Sequence, residues 1–179
     1  MHYKTTYKSP FGNLLLASDG AHLTGLWIEK QKYYATTMSD DLQEKNDLQI
    51  FRVAKEWLDH YFQGKNPPLE DLPLAPSGSL FRQRVWKILC EIPYGTTITY
   101  GDIAKKIAQA DGKKAISAQA VGGAVGHNPI SIIIPCHRVV GANGSLTGYA
   151  GGLAVKIKLL ELEGADMSHL FCPQKGTAL

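Results

Sequence analysis

The sequence predicts an α+β protein: a small N-terminal α/β domain, made of an antiparallel sheet with a helix, followed by a mostly helical C-terminal domain containing a helix-turn-helix. Three observations lead there. Short strand-like runs separated by turn residues fill the chain up to Ile28. Apolar residues at helical spacing dominate from Asp47 onward. Between these regimes and the C-terminal half lies a stretch with Pro67, Pro68, Pro73, Pro76 and Gly78, the composition of a linker. The predicted boundaries are 1–78 for the first domain with its linker, 79–166 for the second, and 167–179 for a tail without clear pattern.

Taken in order, Tyr3–Lys8 alternates weakly until Pro10 and Gly12 break it. Leu14–Ala17 and Leu23–Ile28 flank Ser18-Asp19-Gly20, which predicts a hairpin. Phe51, Ala54, Trp57, Leu58, Tyr61 and Phe62 repeat at helical spacing, and Gly64 ends that helix. Leu80–Glu91 carries Phe81, Val85, Ile88 and Leu89 on one face. Thr99-Tyr100-Gly101-Asp102 is a capping-box pattern before Ile103, Ala104, Ile107 and Ala108. Ser117 can cap a second short helix rich in small residues, Ala118, Ala120, Gly122, Gly123 and Ala124. Each glycine costs a helix about 1 kcal/mol against alanine, so a close neighbour, helix or ligand, is expected at that backbone. Ile132–Ile134 reads as a buried strand, and a glycine-rich loop follows. The last helix runs from about Leu153 to Glu163 with Val155, Leu159 and Leu162 as its core stripe and Gly164 in the C′ position.

Composition narrows the function classes. In 179 residues, 44% hydrophobic and 20% charged are globular values, which exclude disordered and fibrous classes. The longest aliphatic runs are too short to span a bilayer, and Met1-His2-Tyr3-Lys4-Thr5 lacks the apolar core of a secretory signal. Three cysteines, an odd number with no close pair, argue against a disulfide framework or a four-cysteine zinc site, so a reduced, cytoplasmic protein is expected. Charge divides unevenly. Residues 1–79 hold 8 Lys and Arg against 10 Asp and Glu, a balance of −2, whereas residues 80–179 hold 11 against 6, a balance of +5. A basic second half suits an anionic partner, though charge alone favours an ordinary solvated surface.

Cys136 carries the chemical interest. It follows the predicted strand and precedes the glycine loop, where an exposed side chain is expected, and His137 and Arg138 beside it can favour a thiolate. In an extended segment neighbours point to opposite sides, so His137 reaches the sulfur only through a water or a turn. The residues alone leave both a buried structural cysteine and a nucleophile open.

The run Ile134-Pro135-Cys136-His137-Arg138-Val139-Val140 resembles the active-site signature of the O6-alkylguanine-DNA alkyltransferases, the methylated-DNA–protein-cysteine methyltransferases. The similarity extends over Leu80–Gly164. It includes Phe81…Val85-Trp86, Ile92-Pro93…Gly95, Tyr100-Gly101-Asp102-Ile103-Ala104, Ala120-Val121-Gly122-Gly123-Ala124, Asn128-Pro129-Ile130, Gly148-Tyr149-Ala150-Gly151-Gly152-Leu153 and Glu163-Gly164. Ser9-Pro10-Phe11-Gly12-Asn13-Leu14 looks like the family's more variable N-terminal domain.

The resemblance implies DNA repair by direct damage reversal, in which the alkyl group of O6-alkylguanine, and of O4-alkylthymine, moves irreversibly to Cys136 in a single turnover. It implies His137 as general base through a water, Glu163 as the group orienting it, and Tyr100 as a donor to N3 of the leaving base. Asn128 matches a hinge asparagine. Tyr149, Ala150 and Gly151 match a wall of the base pocket, and Cys136 and Val139 would offer carbonyls to the guanine amino group. Arg138 is assigned a structural ion pair. The implied partner is double-stranded DNA, entered through the minor groove by the helix-turn-helix, with Ala118, Ala120, Gly122 and Gly123 as its small face and the base flipped out of the stack. Lys105, Lys106, Lys113 and Lys114 are placed to meet phosphates.

Gln119 departs from the pattern. Many relatives have arginine there, filling the space of the flipped base, and glutamine lacks its charge and stacking plane. The absence of cysteine before Cys90 implies no zinc in the N-terminal domain. No metal or organic cofactor, no membrane partner and a monomeric state are expected. The alternative reading is a non-enzymatic, alkyltransferase-like lesion-binding protein, against which Cys136 argues. A transcriptional regulator and a turnover cysteine hydrolase are the further competitors.

Overall fold

A four-stranded sheet opens the chain: β1 (His2–Ser9), β2 (Gly12–Ser18), β3 (Leu23–Ile28) and β4 (Leu42–Glu44), in the order β3-β2-β1-β4. The computed structural model describes residues 2–36 and 42–173. The part of the predicted tail at 174–179 lies outside the described residues. β1 and β2 form a tight antiparallel hairpin, Tyr3 opposite Ser18 and Ser9 opposite Gly12. β2 and β3 form the hairpin that the Asp19-Gly20 turn predicts, Leu14 opposite Ile28. The sheet is not wholly antiparallel, because β4 pairs parallel to β1 with His2 opposite Leu42. Three residues, two of them exposed, carry no alternating signal that could announce such a strand.

Helix α1 (Gln49–Phe62) buries Ile50, Phe51, Ala54, Trp57, Leu58 and Tyr61, and it contacts β1, β2 and β3. Burial of Ile50, Phe51 and Leu58 contributes about 1.5–3 kcal/mol each. Trp57 and Tyr61 stack with ring centroids 5.3 Å apart, and Trp57 Nε1 donates to the Pro68 carbonyl at 3.1 Å. The proline stretch is therefore held rather than loose. Leu23 N–H donates to Pro73 O and Ala75 N–H to Leu23 O, at 2.8 and 2.9 Å.

The chain divides into two compact units. The first comprises residues 1–77 together with 129–133, and the second residues 78–128 and 134–179. In the second, α2 (Leu80–Cys90), α3 (Tyr100–Ala110) and α4 (Ala118–Gly126) pack on one another. Ser79 caps α2, Thr99 and Asp102 complete the capping box of α3, and Ser117 accepts from Gln119 and Ala120 N–H at the start of α4. Trp86 Nε1 donates to Ala124 O at 2.9 Å, tying α2 to α4. β5 (Ile98–Thr99) runs parallel to β6 (Val139–Val140), and α5 (Leu153–Leu162) packs against the turn that precedes β6. Among the described residues no helix is long and apolar enough to cross a membrane.

Two local expectations change. Ile132–Ile134 is not a strand: residues 131–133 form a turn, with Ile132 at φ 71°. An apolar run signals burial, which is met, since all three isoleucines are at most 2% exposed, but burial alone does not specify extended backbone. The inner stripe of α5 is Lys156, Leu159 and Leu160, not Val155, Leu159 and Leu162. The face is rotated, and this rotation brings Lys156 and Glu163 inside.

Candidate active site

Cys136 lies in a single 3₁₀ turn, Cys136–Arg138, between the Ile132 turn and β6. It is buried, only 4% exposed, where the sequence suggests exposure. The turn, closed by Arg138 N–H to Pro135 O at 3.0 Å, replaces the extended backbone that would have sent Cys136 and His137 to opposite sides. Burial pushes the Cys136 thiol above its usual value, against the opposing pull of the Asn128 amide and the Lys156 charge. Asn128 Nδ2 donates to Cys136 Sγ at 3.2 Å and to Ile134 O at 2.8 Å. The resting sulfur is thus a thiol with one donor already aimed at the charge it would develop.

His137 is fully buried, and burial lowers its pKa, with Glu163 opposing. Its Nε2 lies 2.7 Å from Glu163 Oε1. A carboxylate can only accept, so Nε2 carries the proton and Nδ1 is the nitrogen able to take one. Glu163, 5% exposed, is not a solvated helix end. Burial works to raise its pKa, but hydrogen bonds and charge from His137 and Arg138 outweigh it and hold the group at about 2. Arg138 grips both carboxylate oxygens, Nε to Oε2 at 2.8 Å and Nη2 to Oε1 at 3.0 Å, while Nη1 donates to Ile92 O at 2.7 Å. The structural ion pair assigned to Arg138 is therefore present. Gly95 N–H adds a 3.2 Å bond to Glu163 Oε2. Gly95 has φ 73°, and a Cβ there would stand 2.7 Å from the Glu163 carbonyl oxygen, so only glycine fits.

Tyr100, the first residue of α3, directs its hydroxyl to the carbonyls of Thr147 and Gly148, each at 3.3 Å. Burial, with the Cys136 charge second, raises its pKa. The Tyr149 ring meets the His137 ring edge-on at 6.4 Å. The buried Tyr149 hydroxyl has no hydrogen-bond partner among the described residues. Ala150 and Gly151 beside it are half-buried. Lys156, fully buried, donates to Val139 O at 2.6 Å and Thr147 O at 2.7 Å, and burial lowers its pKa to about 8. Its bonds join the strand after the cysteine to the loop before Tyr149.

Cys136 is followed directly by an imidazole bonded to a carboxylate that an arginine locks, groups whose chemistry can supply a nucleophile, a base and an orienter. Residues 80–165 match the family described as 6-O-methylguanine DNA methyltransferase, DNA binding domain, and residues 2–76 match its ribonuclease-like domain. The chain belongs to the O6-methylguanine-DNA methyltransferase family. It is 43% identical over 161 residues to the methylated-DNA–protein-cysteine methyltransferase of Haemophilus influenzae, covering 90% of this chain and 86% of that protein. To the protein of the same name from Methanosarcina mazei it is 46% identical over 161 residues, covering 90% and 96%. The crystal structure of Mycobacterium tuberculosis OGT in complex with DNA superposes with a TM-score of 0.78 at 44% identity, covering 90% of this chain and 92% of that one.

In this O6-methylguanine-DNA methyltransferase-family chain the Cys136–His137–Glu163 line falls wholly within the segment matching the DNA-binding domain. Other residues singled out from sequence sit on α4 and on the connection before it. Ala118, Gln119 and Ala120 are exposed on α4, and Lys113 and Lys114 are exposed on the connection before it. Lys113 has Asp111 at 3.7 Å. Gly122 is buried, so it does not belong to an outer small face; the helical period turns Val121, Gly122, Ala124 and Val125 inward and leaves Gln119, Ala120 and the half-buried Gly123 outward. The Val139 carbonyl is already engaged by Lys156. Lys156 and Gly95 reach the Glu163 and Val139 neighbourhood from positions that the sequence reading leaves without a role. A lysine within the Leu153, Leu159, Leu160 spacing is the available signal for the first, and Gly95 ends the Ile92-Pro93…Gly95 motif.

Proposed function

We propose that the protein repairs alkylated DNA by moving an alkyl group from O6 of guanine, and from O4 of thymine, to Cys136. The reading rests above all on the buried Cys136 turn, where Asn128 donates to the sulfur and His137 is held by Glu163. The relatives named as methylated-DNA–protein-cysteine methyltransferases support it. So does the likeness to a structure titled as a complex with DNA.

The chemistry follows from the groups present. A raised thiol does not ionise unaided at neutral pH, and a neutral imidazole is the base that can take its proton. As the sulfur–carbon bond forms, the carbon–O6 bond breaks, and the thiol proton passes by way of His137 to the leaving guanine. Glu163 keeps the imidazole in the required tautomer and stabilises its protonated form. Tyr100 serves as the donor to N3 of the departing base. The product is a thioether, which water does not cleave at neutral pH, so each chain acts once. O6 lies inside the stacked duplex, so the nucleotide is flipped out, and α4 enters the minor groove. DNA is the partner, met as a monomer.

Intact-protein mass spectrometry tests this with an oligonucleotide containing one O6-methylguanine and a Cys136→Ser control. The expected result is a gain of one methylene on Cys136, stopping at one equivalent, with none in the control. Tight lesion binding without a mass gain would replace this reading with that of a lesion-binding protein.

A further inference from the structure

Asn128 and Ile134 belong to the second unit, but the five residues between them, 129–133, belong to the first. The loop is closed at its neck by the Asn128 Nδ2 bond to Ile134 O. Its tip is held by β3 and the residues after it. Leu26 N–H donates to Pro129 O and Ser131 N–H to Leu26 O, both at 2.8 Å. The side chains add a third bond, Ser131 Oγ–H to Gln31 Oε1 at 3.0 Å.

Gln31 is unusual for its type in being only 7% exposed, and Ser131 is 1% exposed. The same Oε1 also accepts from Ile28 N–H at 2.7 Å, and the backbone N–H of Gln31 returns a bond to Ile28 O at 3.0 Å. A donor N–H settles which end of the amide is oxygen, so the Ser131 hydroxyl must donate to it. Immediately after Ser131 comes Ile132 at φ 71°. A β-branched residue in the left-handed region is strained and persists only when its surroundings over-determine it. Two backbone bonds fix the position of the loop, and the side-chain bond fixes the residue at which the strain begins.

We infer that Gln31 and Ser131 form a pin that holds Ile132 in its strained conformation and thereby sets the direction in which the chain enters the Cys136 turn. Neither residue touches the Cys136–His137–Glu163 line; both act as positioning residues. Ile132 leads within four residues to Cys136, with Ile133 N–H bonded back to Ser131 O and Cys136 N–H to Ile134 O, each at 2.8 Å. Relaxation of Ile132 to an ordinary backbone angle redirects the chain entering the turn. The pin rests on the alkyl-transfer reading for its catalytic consequence, but not for its structural one.

The test compares the wild-type chain with Ser131→Ala, Ser131→Thr and Gln31→Met. Single-turnover methyl transfer is measured at saturating O6-methylguanine oligonucleotide, together with the half-saturating concentration and backbone hydrogen exchange across residues 132–138. Ser131→Ala is the cleaner variant, because it leaves the Ile28 bond to Gln31 intact. The expected result is a roughly ten-fold slower maximal rate, an unchanged half-saturating concentration and roughly ten-fold faster exchange confined to that segment, as sub-ångström misplacement of a nucleophile predicts. Gln31→Met behaves likewise, and Ser131→Thr, which keeps the hydroxyl, restores both readouts. Wild-type rate and exchange in Ser131→Ala overturn the inference. A slower rate with unchanged exchange overturns it too, since the hydroxyl would then act in the pocket itself. If the wild-type chain accepts no methyl group, the functional reading fails, and exchange alone decides the pin.

Discussion

Burial moves Cys136 and His137 in opposite directions, raising the thiol and lowering the imidazole, so both groups rest neutral. That pairing suits a proton transfer made at the moment of attack better than a standing ion pair would. Glu163 carries the largest electrostatic consequence. Its folded pKa, about 2, lies below the ordinary 4.5, so the unfolded chain binds the proton first. Its contribution is present above about pH 4.5 and is lost as pH falls toward 2, by about 3 kcal/mol. Denaturant titrations of wild type and Glu163→Gln across that window are expected to converge, while transfer by the variant falls by about ten- to a hundred-fold at pH 7. In Lys156 burial disfavours the charged form. Its folded pKa, about 8, lies below the ordinary 10.5, so wild-type stability relative to Lys156→Met is expected to rise between those values. The same variant removes the Lys156 bonds to the Val139 and Thr147 carbonyls, and stopped-flow transfer assays are expected to show at least about ten-fold slowing.

Helix α4 shows how one short element divides its labour. Val121, Gly122, Ala124 and Val125 are buried, while Gln119 and Ala120 face outward behind the Ser117 cap. Glycines on such a helix cost stability, offset by packing on α2 and α3. Gln119 occupies the outward position where an arginine would offer a charge and a flat stacking surface. Gln119→Arg is expected to tighten binding to duplex DNA by about ten-fold, read by fluorescence anisotropy, and to leave the maximal transfer rate within about two-fold. Unchanged or weaker binding would show that the departure at this position is neutral.

Across the whole molecule the +5 balance of residues 80–179 contrasts with −2 in residues 1–79. If the second half meets phosphates, affinity must fall steeply with salt, each contact contributing about 0.9 to the log–log slope. Replacing Lys113 and Lys114 together by glutamine is expected to make the slope shallower by about 1.8 when duplex affinity is titrated against sodium chloride. A slope identical to wild type would assign both lysines to an ordinary solvated surface. The same scale governs the segment 129–133. A run of five residues leaves the unit that holds Cys136, pairs with β3 and returns immediately before the cysteine.

Local chemistry made much of this readable in the chain. The Asp19-Gly20 hairpin, the Thr99–Asp102 capping box, the Ser117 cap and the C′ glycine at Gly164 depend on near neighbours, and each is present. The order of motifs around Cys136 sufficed for the family. The remaining features arise between residues far apart in sequence. The Glu163–Arg138 lock, the Lys156 bridge and the Gln31–Ser131 pin join positions 25, 17 or 9, and 100 residues apart. Hydrophobic pattern reported that Ile132–Ile134 is buried but could not report its turn, since burial constrains side chains and leaves the backbone angles open. The sequence by itself determined the five helices, the β2–β3 hairpin and the family. Only the tertiary structure decided that the cysteine is buried, which histidine nitrogen is basic and what holds the turn, because desolvation and long-range hydrogen bonds exist only once the chain has packed.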